Sequence, residues 1–402
     1  MQGPFASAAV RVLKMKIAVL VFAVAAALAI AAVQAWAAPA SQSTSSSAAL
    51  FAKAQVEAAA GNNDAALQLL QSAVKLDPTN ENVQKLLGDV EYRLQQYAQA
   101  EATYKAVLAR DPGNRDVHNR LGGVYAAEDR FNDAVSEFKA SLPSAEGFSN
   151  LVDAFAAQGR LSELEGEYQQ NVGEHPLDPV AHYQYGVVLS RETRFPEAGE
   201  QFSQALVLQP HFAEAYNALG KVYGDEGRFQ DAINEYKLAL GNDSKLYMAM
   251  MNWGVELIFL GDYRGAVDKI NQSIAIKPDF ALSYENLGIA YDYLNDFTRT
   301  VEDYNHSIAL DPRAWEPYSN LGAVYLDHGL VNLAEAAFIK GLSVNPRNAA
   351  LHYLLGYAYQ QQKKLDLARQ QYQLAAAEMP NDPDVSRQLR LVLEPVYKQQ
   401  QR

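Results

Sequence analysis

Apolar residues recur with helical spacing, in pairs of short segments, along most of the chain. In one such pair, Tyr216, Leu219 and Tyr223 share a face of a first helix, because their spacing follows the turn of an α-helix. Gly227 interrupts the pattern, and a second apolar stripe begins at Phe229. The pattern predicts two short helices in each unit, and the short connection between them forces antiparallel packing.

This pattern returns every 34 residues from residue 47 to residue 382, nine times in full and once as a copy of 30 residues. A proline at position 32 ends eight of the ten units, and on this count the units begin at residues 47, 81, 115, 145, 179, 213, 247, 281, 315 and 349. Position 8 is usually glycine, position 20 is usually alanine, and position 24 is always large. Such pairing predicts close helix contact, with a large side chain seated over a glycine. Because a unit this short cannot bury a core alone, the units must stack on one another.

The repeat resembles that of the tetratricopeptide repeat (TPR) family, which combines Leu-Gly at positions 7 and 8 with an aromatic residue at 24 and Pro at 32. One unit carries the family pattern at Tyr318, Leu321, Gly322, Tyr325, Gly329, Ala334, Phe338 and Pro346. The resemblance covers residues 47–382 and implies an all-α fold, a right-handed α-solenoid of about ten helix-turn-helix units. We expect residues 383–402 to form a helix that caps the solenoid.

Composition narrows the classes of function. The chain has 34 Lys and Arg against 47 Asp and Glu, a net charge of −13, and no basic stripe. Such a surface would repel a phosphate backbone, so we expect no nucleic-acid partner. The chain has no cysteine, which excludes disulfides, thiolate zinc sites and a lipid anchor on cysteine.

The sequence contains no motif for catalysis, a cofactor or a metal. There is no His-Glu-x-x-His pair, no glycine-rich phosphate loop and no G-x-S-x-G turn. Three of the seven histidines, His118, His182 and His352, fall at position 4, where the pattern favours a ring that packs. We interpret them as packing residues rather than ligands, and we expect no enzymatic activity, no cofactor and no metal site.

The N-terminal segment has the features of an export signal. Basic residues precede an apolar run at residues 17–33, and a small-x-small sequence, Ala-Trp-Ala, ends at Ala37. We predict that residues 1–37 are a signal peptide cleaved near Ala37, so that the protein is periplasmic or secreted. The alternative is an uncleaved membrane anchor through residues 17–33, a run that is short for a span. In both cases the repeats lie outside the cytoplasm, because the positive charges remain inside.

Residues 38–46 are rich in Ser and Thr and predict a flexible linker between the export segment and the repeats. Met15 followed by Lys16 also resembles the natural start of a signal peptide. The start of translation is therefore either Met1 or Met15.

The inner wall of the solenoid is the predicted binding surface. On a first helix, positions 4, 7, 8 and 11 share the buried face, whereas positions 2, 5, 6, 9, 12 and 13 lie opposite. The resemblance to the TPR family implies that this second set lines the concave side. Position 6 is asparagine in three consecutive units, at Asn252, Asn286 and Asn320. An amide both donates and accepts, so this ladder would bind the backbone of an extended peptide. It resembles the asparagine ladder of the glycosyltransferases that add N-acetylglucosamine to proteins; the alternative is that these amides are merely solvated.

Apolar side chains accompany the asparagines on the predicted concave face. They are Met248, Met251, Val255, Phe259, Ile289, Tyr293 and Leu326. Exposed apolar patches usually mark contact sites, and methionine suits an adaptable surface. Three interpretations stay open: a bound peptide or partner helix, the C-terminal helix folded back into the groove, or internal packing in a narrow groove.

The sequence therefore predicts a non-enzymatic scaffold for protein–protein interaction, with an extended peptide or a partner helix in its groove. One alternative is a structural or assembly element of the cell envelope. Another is an accessory subunit of a separately encoded enzyme, such as a polysaccharide or glycosyl-transfer system. The identity of the partner and the oligomeric state cannot be deduced from the sequence.

Overall fold

A computed structural model describes residues 46–379 together with Val385, Arg387 and Gln388. The chain divides into two units, Met1–Ser46 and Ser47–Arg402, and the description below concerns the second. The predicted signal peptide lies outside the described residues, as does almost all of the predicted linker. Of the predicted cap, only the three separate residues are described; all three are helical, and Val385 is buried.

Residues 46–379 form ten helical hairpins and contain no strand, which confirms the all-α solenoid. The first helices of the hairpins are α1 (Ser47–Ala59), α3 (Glu81–Arg93), α5 (Arg115–Ala127), α7 (Ala145–Ala157), α9 (Pro179–Arg191), α11 (Ala213–Asp225), α13 (Tyr247–Phe259), α15 (Ala281–Tyr293), α17 (Glu316–Asp327) and α19 (Ala349–Gln361). The second helices are α2 (Asn63–Leu76), α4 (Tyr97–Leu108), α6 (Phe131–Ala140), α8 (Leu161–Glu174), α10 (Phe195–Leu208), α12 (Phe229–Asn242), α14 (Tyr263–Ile276), α16 (Phe297–Leu310), α18 (Val331–Val344) and α20 (Leu365–Glu378). We number the hairpins as repeats 1–10.

Eight of the ten hairpins close over a glycine. A methyl group at position 8 would come within 3.0 Å of the position-24 side chain at Gly88, Gly122, Gly186, Gly220, Gly254, Gly288, Gly322 and Gly356. Seven of these side chains are rings and one is Ile270. The predicted seat of a large side chain over a small residue is therefore present, and it fixes the distance between the two helices of a repeat.

Every first helix ends in the same backbone conformation. The residue at position 15 has a positive φ in all ten repeats, and it is glycine in only five of them. The other five are Gln95, Asp129, Thr193, Asn295 and Lys363. In each repeat the next N–H donates to the carbonyl of position 11, which is the bond that closes a Schellman cap. The turn between helices is thus fixed even where the sequence lacks glycine.

At seven of the nine junctions between repeats, the position-4 side chain lies within hydrogen-bond distance of the carbonyl of the proline that ends the preceding repeat. His182 and His352 approach the carbonyl oxygens of Pro176 and Pro346 at 3.1 and 3.0 Å, and Tyr284 donates to that of Pro278 at 3.0 Å. His118 makes the same contact, and its other ring nitrogen lies 2.6 Å from Glu137. The three histidines therefore have a structural role at the junctions between repeats.

The solenoid meets itself at a contact that we call the seam, where repeats 1 and 2 lie against repeats 7 and 8. The Asn63 side chain donates to the carbonyl of Ala309 at 2.7 Å, although the two residues are 246 apart in the sequence. Arg93, which is buried, lies 3.8 Å from the carboxylate of Asp279. Arg313 lies over the ring of Tyr97, 5.7 Å from its centre. The seam shows that the repeats complete a superhelical turn.

Candidate peptide-binding groove

The helices α13, α15 and α17 carry the predicted groove, and most of its apolar residues are accessible there. Phe259, Tyr293 and Leu282 are 66 %, 56 % and 43 % exposed. The predicted residues Met248, Val255, Ile289 and Leu326 are all partly exposed. The structure thus brings an apolar surface together on consecutive first helices, on the side away from the glycine-seated core.

Two aromatic pairs hold the most exposed rings in place. Phe259 stacks on Phe229 of the preceding repeat, with ring centres 5.2 Å apart and planes 3° apart. Tyr293 stacks on Tyr263 in the same way, at 4.7 Å and 1°. Each pair joins the end of a first helix to the start of the preceding second helix. Because neighbouring repeats hold these rings, little conformational entropy remains to be lost on binding.

The prediction that Met251 lies on the free surface is wrong, because this side chain is only 4 % exposed. Its sulfur lies 3.3 Å from the amide nitrogen of Asn286 in the next repeat. The Met251 side chain thus faces the following first helix rather than the open groove. Met251 therefore supports the groove wall from behind.

The asparagine ladder exists, but it is already engaged between repeats. Asn252 donates to Asn217 at 3.0 Å, and Asn320 donates to Glu285 at 3.2 Å. Asn286 donates to the carbonyl of Leu282 at 2.9 Å and also to the sulfur named above. In every case the donor at position 6 reaches position 5 of the preceding repeat. The ladder therefore joins adjacent repeats, and within the described residues its Oδ1 atoms accept no hydrogen bond.

A buried acid lies beside the groove and was missed in the sequence. Glu256 on α13 is 6 % exposed, and one of its oxygens accepts from the Tyr236 hydroxyl at 3.3 Å. Burial raises its pKa to about 7, and the charge of Asp225 adds to this. Gly224 provides the space for the carboxyl, because a methyl group there would collide with it. A glycine at position 12 of one repeat, together with an acid at position 10 of the next repeat, is the sequence signal that could have revealed this pair.

Two further features of the described residues concern metal ions and the membrane. Residues 46–379 hold no cluster of three or more side chains suited to bind a metal. None of the helices described is long and apolar enough to cross a membrane. The predicted anchor at residues 17–33 lies outside the described residues.

Comparison with known families decides the class of the repeat. Three family models, each for a tetratricopeptide repeat, match residues 57–113 and 92–161, residues 183–246 and 319–383, and residues 281–313. The protein belongs to the tetratricopeptide repeat family. TPR arrays serve generally in protein–protein interaction, and this general role extends to the chain. No curated protein matches it.

This TPR protein is similar to several solved structures. The APC/C hetero-tetramer Cut9-Hcn1 is 18 % identical, with 87 % of this chain and 76 % of that chain covered and a TM-score of 0.56. A TPR protein from Parabacteroides merdae is 19 % identical, with coverages of 62 % and 98 % and a TM-score of 0.48. The pilF protein of Pseudomonas aeruginosa is 19 % identical, with coverages of 54 % and 97 % and a TM-score of 0.46. At 18 % identity, the similarity to Cut9-Hcn1 shows a shared fold and nothing more.

Proposed function

We propose that this TPR protein is a non-enzymatic scaffold, which holds an extended segment or a helix of a partner protein against the groove of repeats 7–9. The observation that carries the proposal is the accessible apolar surface on three consecutive first helices, where Phe259 and Tyr293 are more than half exposed. An apolar surface that neighbouring repeats hold in position is typical of a contact site.

Site-specific photo-cross-linking tests the location. A benzophenone amino acid at Phe259 or Tyr293 should give discrete adducts with the partner in the native cell. Leu177 and Val207 are matched controls, because they are 79 % and 73 % exposed but lie outside the groove positions. Equal adducts at all four sites, or adducts at the control sites alone, would refute the groove. A ladder of adducts of the chain with itself would instead favour a structural polymer, which light scattering would confirm.

The asparagine ladder has its own test. Alanine at Asn252, Asn286 and Asn320 removes the free Oδ1 acceptors together with the bonds between repeats. If the amides bind a peptide backbone, the affinity for the partner should fall by more than the loss of folding stability of the repeats explains. Met251→Leu is a useful comparison, because it alters the buried wall without changing a groove-facing atom. Unchanged affinity in the triple variant would limit the ladder to its structural role.

We also propose that the scaffold works outside the cytoplasm, on the basis of the apolar run at residues 17–33 and the small residues that end at Ala37. N-terminal sequencing of the protein from its own cells tests this. A new terminus after Ala37 supports export with cleavage. An intact terminus with protease-accessible repeats supports the anchor, and repeats protected in the cytoplasm contradict both.

A further inference from the structure

The groove-facing charges of the solenoid fall into two zones. In repeats 2–6 the acidic side chains at groove positions are largely matched by basic ones, in the pairs Lys85–Asp116 (3.1 Å), Arg120–Asp116 (3.0 Å), Arg120–Asp89, Arg191–Asp153 and Lys221–Asp225 (2.8 Å). In repeats 8 and 9, four carboxylates at the same positions form no ion pair within the described residues: Glu285, Asp292, Glu316 and Asp327. No Lys or Arg occupies a groove position in repeats 7–10.

These carboxylates repel one another. Burial raises the pKa of Glu285 to about 7, and the negative charges of Glu316 and Asp311 add to the rise. Burial also raises the pKa of Asp292, with Asp327 as the next cause. A cation placed between such groups favours their ionised forms. Repeats 8 and 9 therefore lack the basic side chains that balance the acidic ones at the groove positions of repeats 2–6.

The spacing of the acids sets a pattern for a ligand. Glu285 and Asp292 both lie on α15, seven positions apart, which is about 10 Å along a helix axis. Ile289 lies between them on the same face and is partly exposed. A chain in the extended polyproline II conformation has three residues per turn and rises about 3.1 Å per residue, so side chains three positions apart lie on the same side and about 9 Å apart. A segment that follows α15 would therefore meet the two acids with residues three positions apart, and would meet Ile289 with a residue between them.

We propose that the groove of repeats 7–9 takes a basic, apolar segment of its protein partner, with Lys or Arg opposite Glu285 and Asp292 and an aliphatic side chain against Ile289. The inference rests on the proposed function and adds the chemistry of the partner. The carboxylates orient the segment, and the aromatic pairs at Phe259 and Tyr293 provide the apolar contact surface.

A synthetic peptide, Arg-Leu-Ser repeated four times and labelled with fluorescein, is the probe for this chemistry. Anisotropy should show that it binds the full chain, and the same peptide with Glu in place of Arg should not bind. The double variant Glu285→Gln, Asp292→Asn should weaken binding about tenfold, as expected for the loss of two partly exposed ion pairs. Glutamine at residue 285 can still accept from Asn320, so the repeats stay joined.

A second double variant controls for net charge. Asp268 and Glu302 lie on the second helices of repeats 7 and 8 and are exposed, so Asp268→Asn, Glu302→Gln removes the same charge outside the groove. This control should bind the peptide as the wild type does. Glu285→Lys, Asp292→Lys should reverse the preference and select the Glu peptide. An equal effect of the groove and control variants, or no binding of the Arg peptide to the wild type, would overturn the inference.

Two further outcomes separate this inference from the proposed function. If groove cross-links form but the double groove variant leaves them and the peptide affinity unchanged, the scaffold stands and the basic partner is wrong. If a chain that ends at residue 382 binds the peptide more tightly than the full chain, its own C-terminal segment occupies the groove. That result would overturn the assignment to a separate partner.

Discussion

Two adjacent glycines on α5 test the packing on which the solenoid depends, because one is the control for the other. Gly122 lies at position 8, where an added methyl group would come within 2.5 Å of the Phe138 ring. Gly123 is the next residue, and nothing lies within 4 Å of the methyl group that it would gain. We therefore predict that Gly122→Ala destabilises the protein and that Gly123→Ala stabilises it.

The magnitudes follow from two opposing effects. Alanine is favoured over glycine inside a helix by about 1 kcal/mol, and both positions gain this. At Gly123 nothing opposes it, so the net stabilisation should be about 0.5–1 kcal/mol. At Gly122 the ring that must move is only 3 % exposed and has no open side. Overpacking of this kind costs about 1–3 kcal/mol, which leaves a net loss of about 1 kcal/mol at the middle of that range.

Urea unfolding followed by circular dichroism measures both changes, and hydrogen exchange in α5 and α6 locates them, since a repeat array need not unfold in one step. Phe138→Leu tests the cause. The smaller side chain should remove much of the penalty of Gly122→Ala, whereas its effect should add independently to that of Gly123→Ala. The reasoning is refuted if both glycine variants shift stability in the same direction, or if Phe138→Leu gives no relief.

Three more predictions concern the turns, the buried acid and the seam. Thr193 has a φ of 61°, which β-branched residues rarely adopt, so Thr193→Gly should stabilise by about 1 kcal/mol and Gly227→Thr should destabilise, as shifts of the urea midpoint. The native pKa of Glu256, about 7, lies above its ordinary value of 4.5, so its contribution to stability is full below pH 4.5 and is lost as the pH rises through 7. Glu256→Gln should abolish this loss and raise the melting temperature at pH 8 relative to the wild type, by calorimetry. Asn63→Ala removes a hydrogen bond of the seam and should give faster hydrogen exchange at the end of α16, whereas Asn62→Ala, which loses only an exposed bond, should not.

The contacts inside a repeat could be predicted from the sequence because they are local and recur. The seat of Tyr304 over Gly288, for example, follows from two positions that are 16 residues apart and keep the same spacing in other units. Such a contact depends only on helix geometry within one hairpin. The cap at position 15 was predicted where it is glycine, as at Gly227. The cap at Thr193 could not be predicted from the sequence, because there the geometry of the hairpin, and not the residue type, imposes the positive φ.

The contacts between repeats were predicted less well. A helical wheel places Met251 and Asn252 on the concave side, but it contains no information on how neighbouring first helices tilt. That tilt buries Met251 and directs the Asn252 amide to Asn217. The seam has no sequence signature at all, because it depends on small rotations accumulated over many repeats. An error of a few degrees in each repeat would separate Asn63 from Ala309.

The seam stabilises the fold less than its hydrogen bond and ion pair alone would suggest. Asn63 Oδ1, His306 Nε2 and Arg313 Nη1 are buried there without a hydrogen-bond partner among the described residues. Buried polar atoms without a partner oppose the contributions of the seam's own hydrogen bond and ion pair. His306 also stacks at 4.1 Å on Tyr284, which belongs to α15, and Leu282 of the same helix faces the groove. The seam and the groove therefore share the helix α15, so a change in the position of this helix would affect both.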